Sequence, residues 1–259
     1  MKKFNLLKVG IIIMCLSALF GCSNKAATEP AEIKAPLGFS LLYQGHASLR
    51  ITTAEGKVIY IDPASGEGYD LPADMILVTH QHSDHNKIDL VTQKEDCVVI
   101  IGNEVLENTG VTTYEYNTDN ELTSKNEGKP QTFAYGFVKV EAVEARNERH
   151  NPEECVGYIL TFRDGTGVYV SGDTSTTEQM KTFADRELDY AFIVCDGVYN
   201  MGVEEASACA KLIGAKNTIP YHMTSQTELF SQEVADKFDV EGKMIMKPGE
   251  IVYRYGANG

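Results

Sequence analysis

Residues 77–86 read Leu-Val-Thr-His-Gln-His-Ser-Asp-His-Asn. Within six positions they hold three imidazoles and one carboxylate: His80, His82, Asp84 and His85. Imidazole and carboxylate are ligands that suit divalent metals such as zinc, and few structural roles need them at this density. The apolar residues 75–78 just before them predict a buried strand. We therefore expect a metal site on the loop that leaves the carboxyl end of this strand.

The spacing His80-x-His82-x-Asp84-His85, set after an apolar strand and a threonine, resembles the signature of the metallo-β-lactamase superfamily. This resemblance implies an α/β fold, an αββα four-layer sandwich, that binds two metal ions. The alternative is a surface loop that happens to be rich in histidine. The length of 259 residues suits a single domain of this kind.

Three later positions match the remaining ligands of the family. Asp173, in the segment Ser-Gly-Asp-Thr, is similar to the carboxylate that bridges the two metals, and His222 is similar to the last ligand. His150 matches the third-motif histidine, although it lies several residues beyond the predicted strand end. The alternatives are that Asp173 caps a helix starting near Thr176 and that His150 is an ordinary surface histidine.

The segment Gly-His-Ala-Ser around His46, followed by Asp62 at the end of the third predicted strand, is similar to one branch of the superfamily. That branch contains ascorbate-6-phosphate lactonase and related metal-dependent hydrolases. The resemblance implies that His46 lies near the metals as a catalytic residue and that Asp62 orients a ligand histidine through a hydrogen bond. The alternatives are a capping histidine and a turn aspartate.

The resemblance also implies how the ligands divide between the metals. His80, His82 and His150 would hold the first ion, Asp84, His85 and His222 the second, and Asp173 would lie between them. Zinc is the expected cofactor, with manganese or iron as alternatives.

The implied activity is hydrolysis of a small ester, lactone or phosphodiester by a metal-held hydroxide, with Asp84 orienting the water and carrying its proton. A membrane-tethered protein that binds metal or ligand without turnover is the alternative. A redox role of the diiron flavoprotein kind is disfavoured, because His82 stands where those proteins use glutamate.

The amino-terminal segment predicts export. Lys2 and Lys3 precede an apolar run at residues 9–20, and residues 19–22, ending at Cys22, resemble the lipobox of bacterial lipoproteins. We expect a signal peptide at residues 1–21, lipid including palmitate on Cys22, a flexible tether at residues 22–36, and the hydrolase domain at residues 37–259. This would anchor the protein to the extracytoplasmic face of the cell membrane. An uncleaved amino-terminal anchor is the alternative.

The charge of the chain excludes one class of partner. The formal net charge is −14, and it becomes −17 without residues 1–21, which contain three lysines and no acidic residue. A surface this acidic repels phosphate backbones. We therefore expect a small-molecule substrate and no nucleic acid, while the sequence does not indicate the oligomeric state.

The remaining pattern predicts alternating strands and helices, beginning with a three-stranded meander. Two of these expectations are tested below: a short helix at Glu104–Asn108 and a final hairpin that pairs Lys243–Met246 with Glu250–Tyr255. The loops Asn117–Pro130 and Val198–Glu204 are the expected sources of substrate specificity.

Overall fold

The computed structural model describes residues 38–102, 104–106, 132–151, 155–225 and 228–255. The predicted signal peptide, Cys22, the tether and the loop Asn117–Pro130 lie outside the described residues. Over the described ranges, no helix combines the length and the apolar content needed to span a membrane.

The first half of the chain builds most of one sheet. Its strands are β1 (Gly38–Gly45), β2 (Ser48–Thr52), β3 (Val58–Ile61), β4 (Ala73–Val78), β5 (Gln93–Ile101) and β6 (Glu104–Leu106). The strands β1, β2 and β3 form the predicted antiparallel meander, whereas β3, β4 and β5 run parallel. The carboxyl ends of these parallel strands therefore meet at one edge of the sheet.

The second half builds the other sheet. Its strands are β7 (Thr132–Ala134), β8 (Val138–Glu144), β9 (Val156–Phe162), β10 (Gly167–Val170), β11 (Tyr190–Val194) and β12 (Asn217–Tyr221). Antiparallel pairing joins β7, β8, β9 and β10, and parallel pairing joins β10, β11 and β12. The last strand, β13 (Ile251–Tyr255), returns to the first sheet and pairs antiparallel with β1.

The main core packs the two sheets together. Leu49, Ile59 and Met75 of the first sheet belong to one buried cluster with Val140 and Leu160 of the second. Helix α1 (Val203–Ile213) adds its apolar face to the same cluster and packs against β11 and against α2 (Gln232–Lys237). Two sheets in contact with helical cover are an α/β sandwich, so the predicted fold is confirmed.

A smaller core covers the outer face of the first sheet. Tyr60 and Ile76 point into it from β3 and β4, and Ile88 reaches it from a 3₁₀ turn at Ile88–Leu90.

On β4, Asp74 accepts hydrogen bonds from Lys57 Nζ, Lys94 Nζ and the backbone N–H of Val58. A buried carboxylate thus ties the neighbouring strands β3, β4 and β5 together.

The predicted helix at Glu104–Asn108 is wrong over the residues that the structure describes. Glu104–Leu106 is the edge strand β6, paired antiparallel with β5. The chain reverses at Gly102, whose φ of +56° suits glycine, and the backbone groups of β5 then gain a partner. A helix over the same residues would leave those groups of β5 without one.

The predicted final hairpin is also wrong in its pairing. The turn before Glu250 forms, since Glu250 N–H donates to Lys247 O at 2.9 Å. Lys243, however, makes an isolated parallel bridge with Thr218, and Ile251 pairs with Leu42. The open edge of β1 offers a longer ladder than a two-stranded hairpin would, so β13 pairs there.

Candidate metal centre

The candidate ligands follow strand ends that face each other across the two sheets. His80, His82, Asp84 and His85 follow β4, and Asp173 and His222 follow the parallel strands β10 and β12. His150 comes after β8, and His46 lies at the turn between β1 and β2. The structure brings together all eight residues that the sequence singled out, and their functional roles remain predictions.

Donor atoms from these residues form three groups whose members lie within 4.8 Å of one another. The groups are His80 with His82 and His150, His46 with Asp84 and His222, and His80 with His85 and Asp173. The first group matches the set expected for the first ion. In the second group His46 takes the position expected for His85, although His85 Nε2 is still only 3.9 Å from Asp84 Oδ2.

Asp173 lies between the groups. Its Oδ1 is 3.4 Å from His85 Nε2 and 3.5 Å from His222 Nε2, while its Oδ2 is 3.3 Å from His150 Nε2. Each carboxylate oxygen therefore faces different imidazoles, as a bridging ligand requires. The alternative role as a helix cap is not observed, since the helical turn that follows is preceded by Glu178 and lacks a side-chain cap.

Several of these buried polar atoms have no hydrogen-bond partner within the described protein. They are His46 Nδ1, His85 Nε2, His150 Nε2, Asp173 Oδ1 and both ring nitrogens of His222. Leaving one buried polar group unpaired costs about 1–3 kcal/mol. Such a cluster of converging imidazole and carboxylate atoms is the donor set that a divalent cation satisfies, so the residues fit the expected metals.

Charge interactions within the cluster set the protonation of its members. Burial opposes ionisation of Asp84, but contacts with His222 and His46 hold the pKa of its carboxyl well below its usual range. Burial also opposes ionisation of Asp173, and the surrounding histidines again keep its pKa low. Burial together with the charge of His85 lowers the pKa of His80, so that its imidazole is neutral and able to donate a lone pair.

Asp62 supports residues 79–85, the metal loop, through hydrogen bonds, as the sequence predicted. Its Oδ1 accepts from Thr79 N–H at 2.7 Å, and its Oδ2 accepts from Thr79 Oγ1 at 2.8 Å and lies 2.9 Å from His85 Nδ1. With Nδ1 bonded to Asp62, His85 presents Nε2 to the cluster. Burial opposes the charge on His85, but Asp173 and Asp62 raise its pKa to about 9.

Asn147 is a support that sequence reasoning missed. Its Oδ1 accepts from the backbone N–H groups of Arg149 and His150 at 2.8 and 3.0 Å and lies 3.0 Å from His150 Nδ1. Its Nδ2 donates to Tyr199 O and to Asn200 Oδ1. This contact turns His150 Nε2 towards Asp173, which explains how a histidine several residues beyond β8 reaches the cluster.

Asp196 and Asn200 were also missed. Asn200 Nδ2 donates to Asp173 Oδ2 at 2.9 Å and to Asp196 Oδ2 at 2.6 Å, and Asp196 Oδ2 lies 3.9 Å from His222 Nδ1. A sequence signal was available, because Asp196 follows the buried parallel strand β11 as the predicted ligands follow its neighbours.

Three residues of the site adopt left-handed backbone conformations although none is glycine. The φ angles are +52° at His46, +47° at Asp62 and +44° at His222. Such conformations cost free energy and persist where surrounding contacts impose them. Here His222 N–H donates to His46 O at 2.8 Å, and Tyr43 Oη donates to the same carbonyl. The backbone thus brings His46 and His222 together, with ring centroids 3.9 Å apart.

The cluster opens into a cavity of about 340 Å³. Its lining residues are His82, Asp84, Arg149, His150, Asp173, Tyr199 and His222. Asp84 is the carboxylate most open to solvent, with 47% of its side chain exposed, whereas Asp173 is 5% exposed. A small molecule entering this cavity would meet Asp84, the most exposed carboxylate among the proposed ligands. Tyr199 belongs to one of the two loops expected to set specificity.

Comparison with known proteins shows the family of this chain. The family model described as "Beta-lactamase superfamily domain" matches residues 40–222, which include all eight candidate residues. A relative from Lysinibacillus sphaericus, named a UPF0173 metal-dependent hydrolase, is 31% identical over 81% of this chain and 97% of its own. A second protein of that name, from Thermodesulfovibrio yellowstonii, is 28% identical over 93% of this chain and 98% of its own.

Solved structures share the fold. A Parabacteroides distasonis protein superposes with a TM-score of 0.60 at 28% identity, covering 80% of this chain and 91% of its own. Igni18, a metallo hydrolase from Ignicoccus hospitalis, superposes with a TM-score of 0.56 at 20% identity, covering 83% of this chain and 98% of its own. At this identity the match shows that the two proteins share a fold.

Proposed function

The chain belongs to the metallo-β-lactamase superfamily as a metal-dependent hydrolase, and we propose that it uses two zinc ions to cleave a small ester, lactone or phosphodiester. The observation that carries this proposal is Asp173, whose two carboxylate oxygens face different imidazoles at 3.3–3.5 Å. A buried carboxylate in this position is suited to join two cations into one site.

The residues would divide as the family resemblance implies, and the first donor group matches that division. His80, His82 and His150 would hold one ion, Asp84, His85 and His222 the other, with Asp173 shared. Manganese or iron would suit many of the same donors. When bound, such cations lower the pKa of water and stabilise negative charge on the substrate.

The protein's own groups then position the reactants. The Asp84 carboxylate faces the cavity, so it would orient water and take up its proton, which it would pass to the leaving group. His46 Nε2 lies 3.3 Å from Asp84 Oδ2, and it would hold that carboxylate in place through the reaction. Asn200, by donating to Asp173 Oδ2, would keep the shared carboxylate from rotating.

The test is a purified-protein screen across lactones, esters and phosphodiesters with added zinc or manganese, combined with elemental analysis. We expect Asp84→Ala and His85→Ala to lose bound metal and turnover together, since each removes a proposed ligand. Asp185→Asn is the control, because Asp185 is an exposed acid outside the cluster. Turnover retained by either alanine variant would contradict the proposal. Stoichiometric metal without turnover on any substrate would favour a binding protein instead.

The substrate class follows from two features. The similarity around His46 and Asp62 to the ascorbate-6-phosphate lactonase branch supports including lactones among the candidates. The net charge of −14 disfavours nucleic acid as a partner.

We propose that the protein acts outside the cytoplasmic membrane, held there by lipid on Cys22. The support is the lipobox-like segment after an apolar run. In cells that make the full chain, Cys22→Ser should move the protein out of the membrane fraction. Unchanged membrane association in this variant would favour an uncleaved anchor.

A further inference from the structure

Arg149 differs from the other arginines of the chain in its ion pairs with carboxylates. Each of the other five lies within 4.0 Å of a carboxylate: Arg50 of Asp70, Arg146 of Glu144, Arg163 of Glu55, Arg186 of Glu141 and Arg254 of Asp189. Among the described residues, no carboxylate lies that close to the Arg149 guanidinium. In a chain with 37 acidic residues, an arginine that pairs with none of the described carboxylates is suited to bind an anionic ligand.

The same residue lines the candidate metal cavity. Of the described residues around that cavity, Arg149 alone carries a fixed positive charge, and its neighbours there are imidazoles, carboxylates and Tyr199. A guanidinium has five N–H donors in a fork that matches two oxygens of a carboxylate or phosphate. Arg149 therefore offers, in the lining of the cavity, a group suited to bind an oxyanion.

The Arg149 guanidinium packs over the ring of Tyr199. Its Cζ lies 5.2 Å from the centroid of the Tyr199 ring, within the range of a cation–π interaction. Asn147 bonds to the backbone of both residues, and Tyr199 N–H also donates to Asp196 Oδ1 at 2.7 Å. The loop framework that orients His150 thus also holds the backbone of Arg149 and Tyr199 close to the proposed ligands.

We propose that Arg149 and Tyr199 form an oxyanion subsite, and that the substrate carries a carboxylate or phosphate group beside the bond that is cleaved. The inference rests on the proposed function, because it places that group next to the hydrolytic site. The acidic surface would otherwise repel such a molecule. Arg149 supplies the local attraction, while the ring of Tyr199 contacts the adjoining carbon atoms.

Matched substrates test this inference. The 4-nitrophenyl monoester of glutaric acid carries a free carboxylate, and its methyl ester is neutral, while both release 4-nitrophenol. Relative to the wild type, Arg149→Gln should raise the KM for the anionic ester about tenfold, the scale of one charge-assisted hydrogen bond, and leave the neutral ester within about twofold. Arg149→Lys should fall between the two proteins, because it keeps the charge and loses the fork.

Arg163→Gln is the control, because it makes the same change of charge at an exposed arginine that does not line the cavity. It should leave both KM values unchanged. An equal effect of Arg149→Gln on the two esters, or an equal effect of both glutamine variants on the anionic ester, would overturn the inference.

A binding measurement separates this inference from the proposed function. Monomethyl glutarate is titrated calorimetrically into zinc-loaded wild-type, Arg149→Gln and Arg163→Gln proteins. We expect about tenfold weaker binding for Arg149→Gln alone. Absence of ester turnover in the wild type would count against the proposed hydrolase activity. Weaker binding of monomethyl glutarate by Arg149→Gln than by the wild type would still support the subsite. Equal binding by all three proteins would overturn the subsite even if hydrolysis is observed.

Discussion

Replacing Asp62 by asparagine tests whether the buried support of the metal loop controls metal affinity. The side chains match in shape, and asparagine tolerates the left-handed backbone, with φ of +47°, that Asp62 adopts. The amide oxygen can still accept from Thr79 N–H. At the other position an NH₂ group replaces Oδ2, which lies 2.9 Å from His85 Nδ1. The substitution therefore removes the acceptor that orients His85 and that also bonds to Thr79 Oγ1.

The expected change in metal affinity follows from the contact with His85, the proposed ligand. A hydrogen bond to a charged group contributes about 1.5–3 kcal/mol, and loss of a residue that orients a metal ligand weakens binding about 10–100-fold. Since tenfold corresponds to about 1.4 kcal/mol, the two ranges agree. We expect zinc affinity to fall about 10–100-fold in Asp62→Asn.

Competition with a chromogenic chelator measures this change, and circular dichroism checks the fold. Asp74→Asn is the matched control, because it also replaces a buried carboxylate, one bonded to Lys57 and Lys94 rather than to a histidine. The control should lose stability and keep its zinc affinity within about twofold. A folded Asp62→Asn protein that binds zinc as tightly as the wild type would refute the role given to Asp62.

Three further outcomes are expected. The first concerns Asp74: burial opposes its ionisation, but its two lysine partners lower its pKa below 3.8. The stabilisation that the ionised carboxylate gives to the fold is therefore present above that pH and is lost as the pH falls. The difference in unfolding free energy between the wild type and Asp74→Asn should shrink from pH 7 to pH 3. Gly172→Ala should cost about 2–5 kcal/mol in denaturant titrations, because φ is +61° and the new Cβ would lie 2.4 Å from Val156 O, whereas Gly165→Ala, with open space around it, should cost less. Removing bound metal with a chelator should lower the melting temperature and added zinc should restore it, since the ions satisfy otherwise unpaired buried atoms; an unchanged melting temperature would contradict the metal site.

The candidate site was largely predictable because its residues obey a local rule. Polar residues follow apolar strands at these points, and the resemblance to the metallo-β-lactamase superfamily then singled out His80, Asp173 and His222 as candidate ligands. The meander and most strands were readable for the same reason. Local patterns determine where a strand ends, and the fold then brings those ends to one edge.

What the sequence did not reveal depends on distant partners. The pairing of Ile251–Tyr255 with β1 joins the two ends of the domain, and no local signal distinguishes it from a hairpin. Asn147 stabilises the site through contacts more than 50 residues away, at Tyr199 and Asn200. The cation–π contact of Arg149 with Tyr199 has the same long-range character. Such contacts follow from tertiary packing, which spacing along the chain does not encode.

Each of the three donor groups combines residues from both halves of the domain. The first sheet's loops supply two members of every group, and the second half supplies only the third: His150, His222 or Asp173. Neither half alone can therefore surround a cation. Loading with metal would report that the two sheets have docked correctly, and a chain cleaved or stalled between them would emerge without its cofactor.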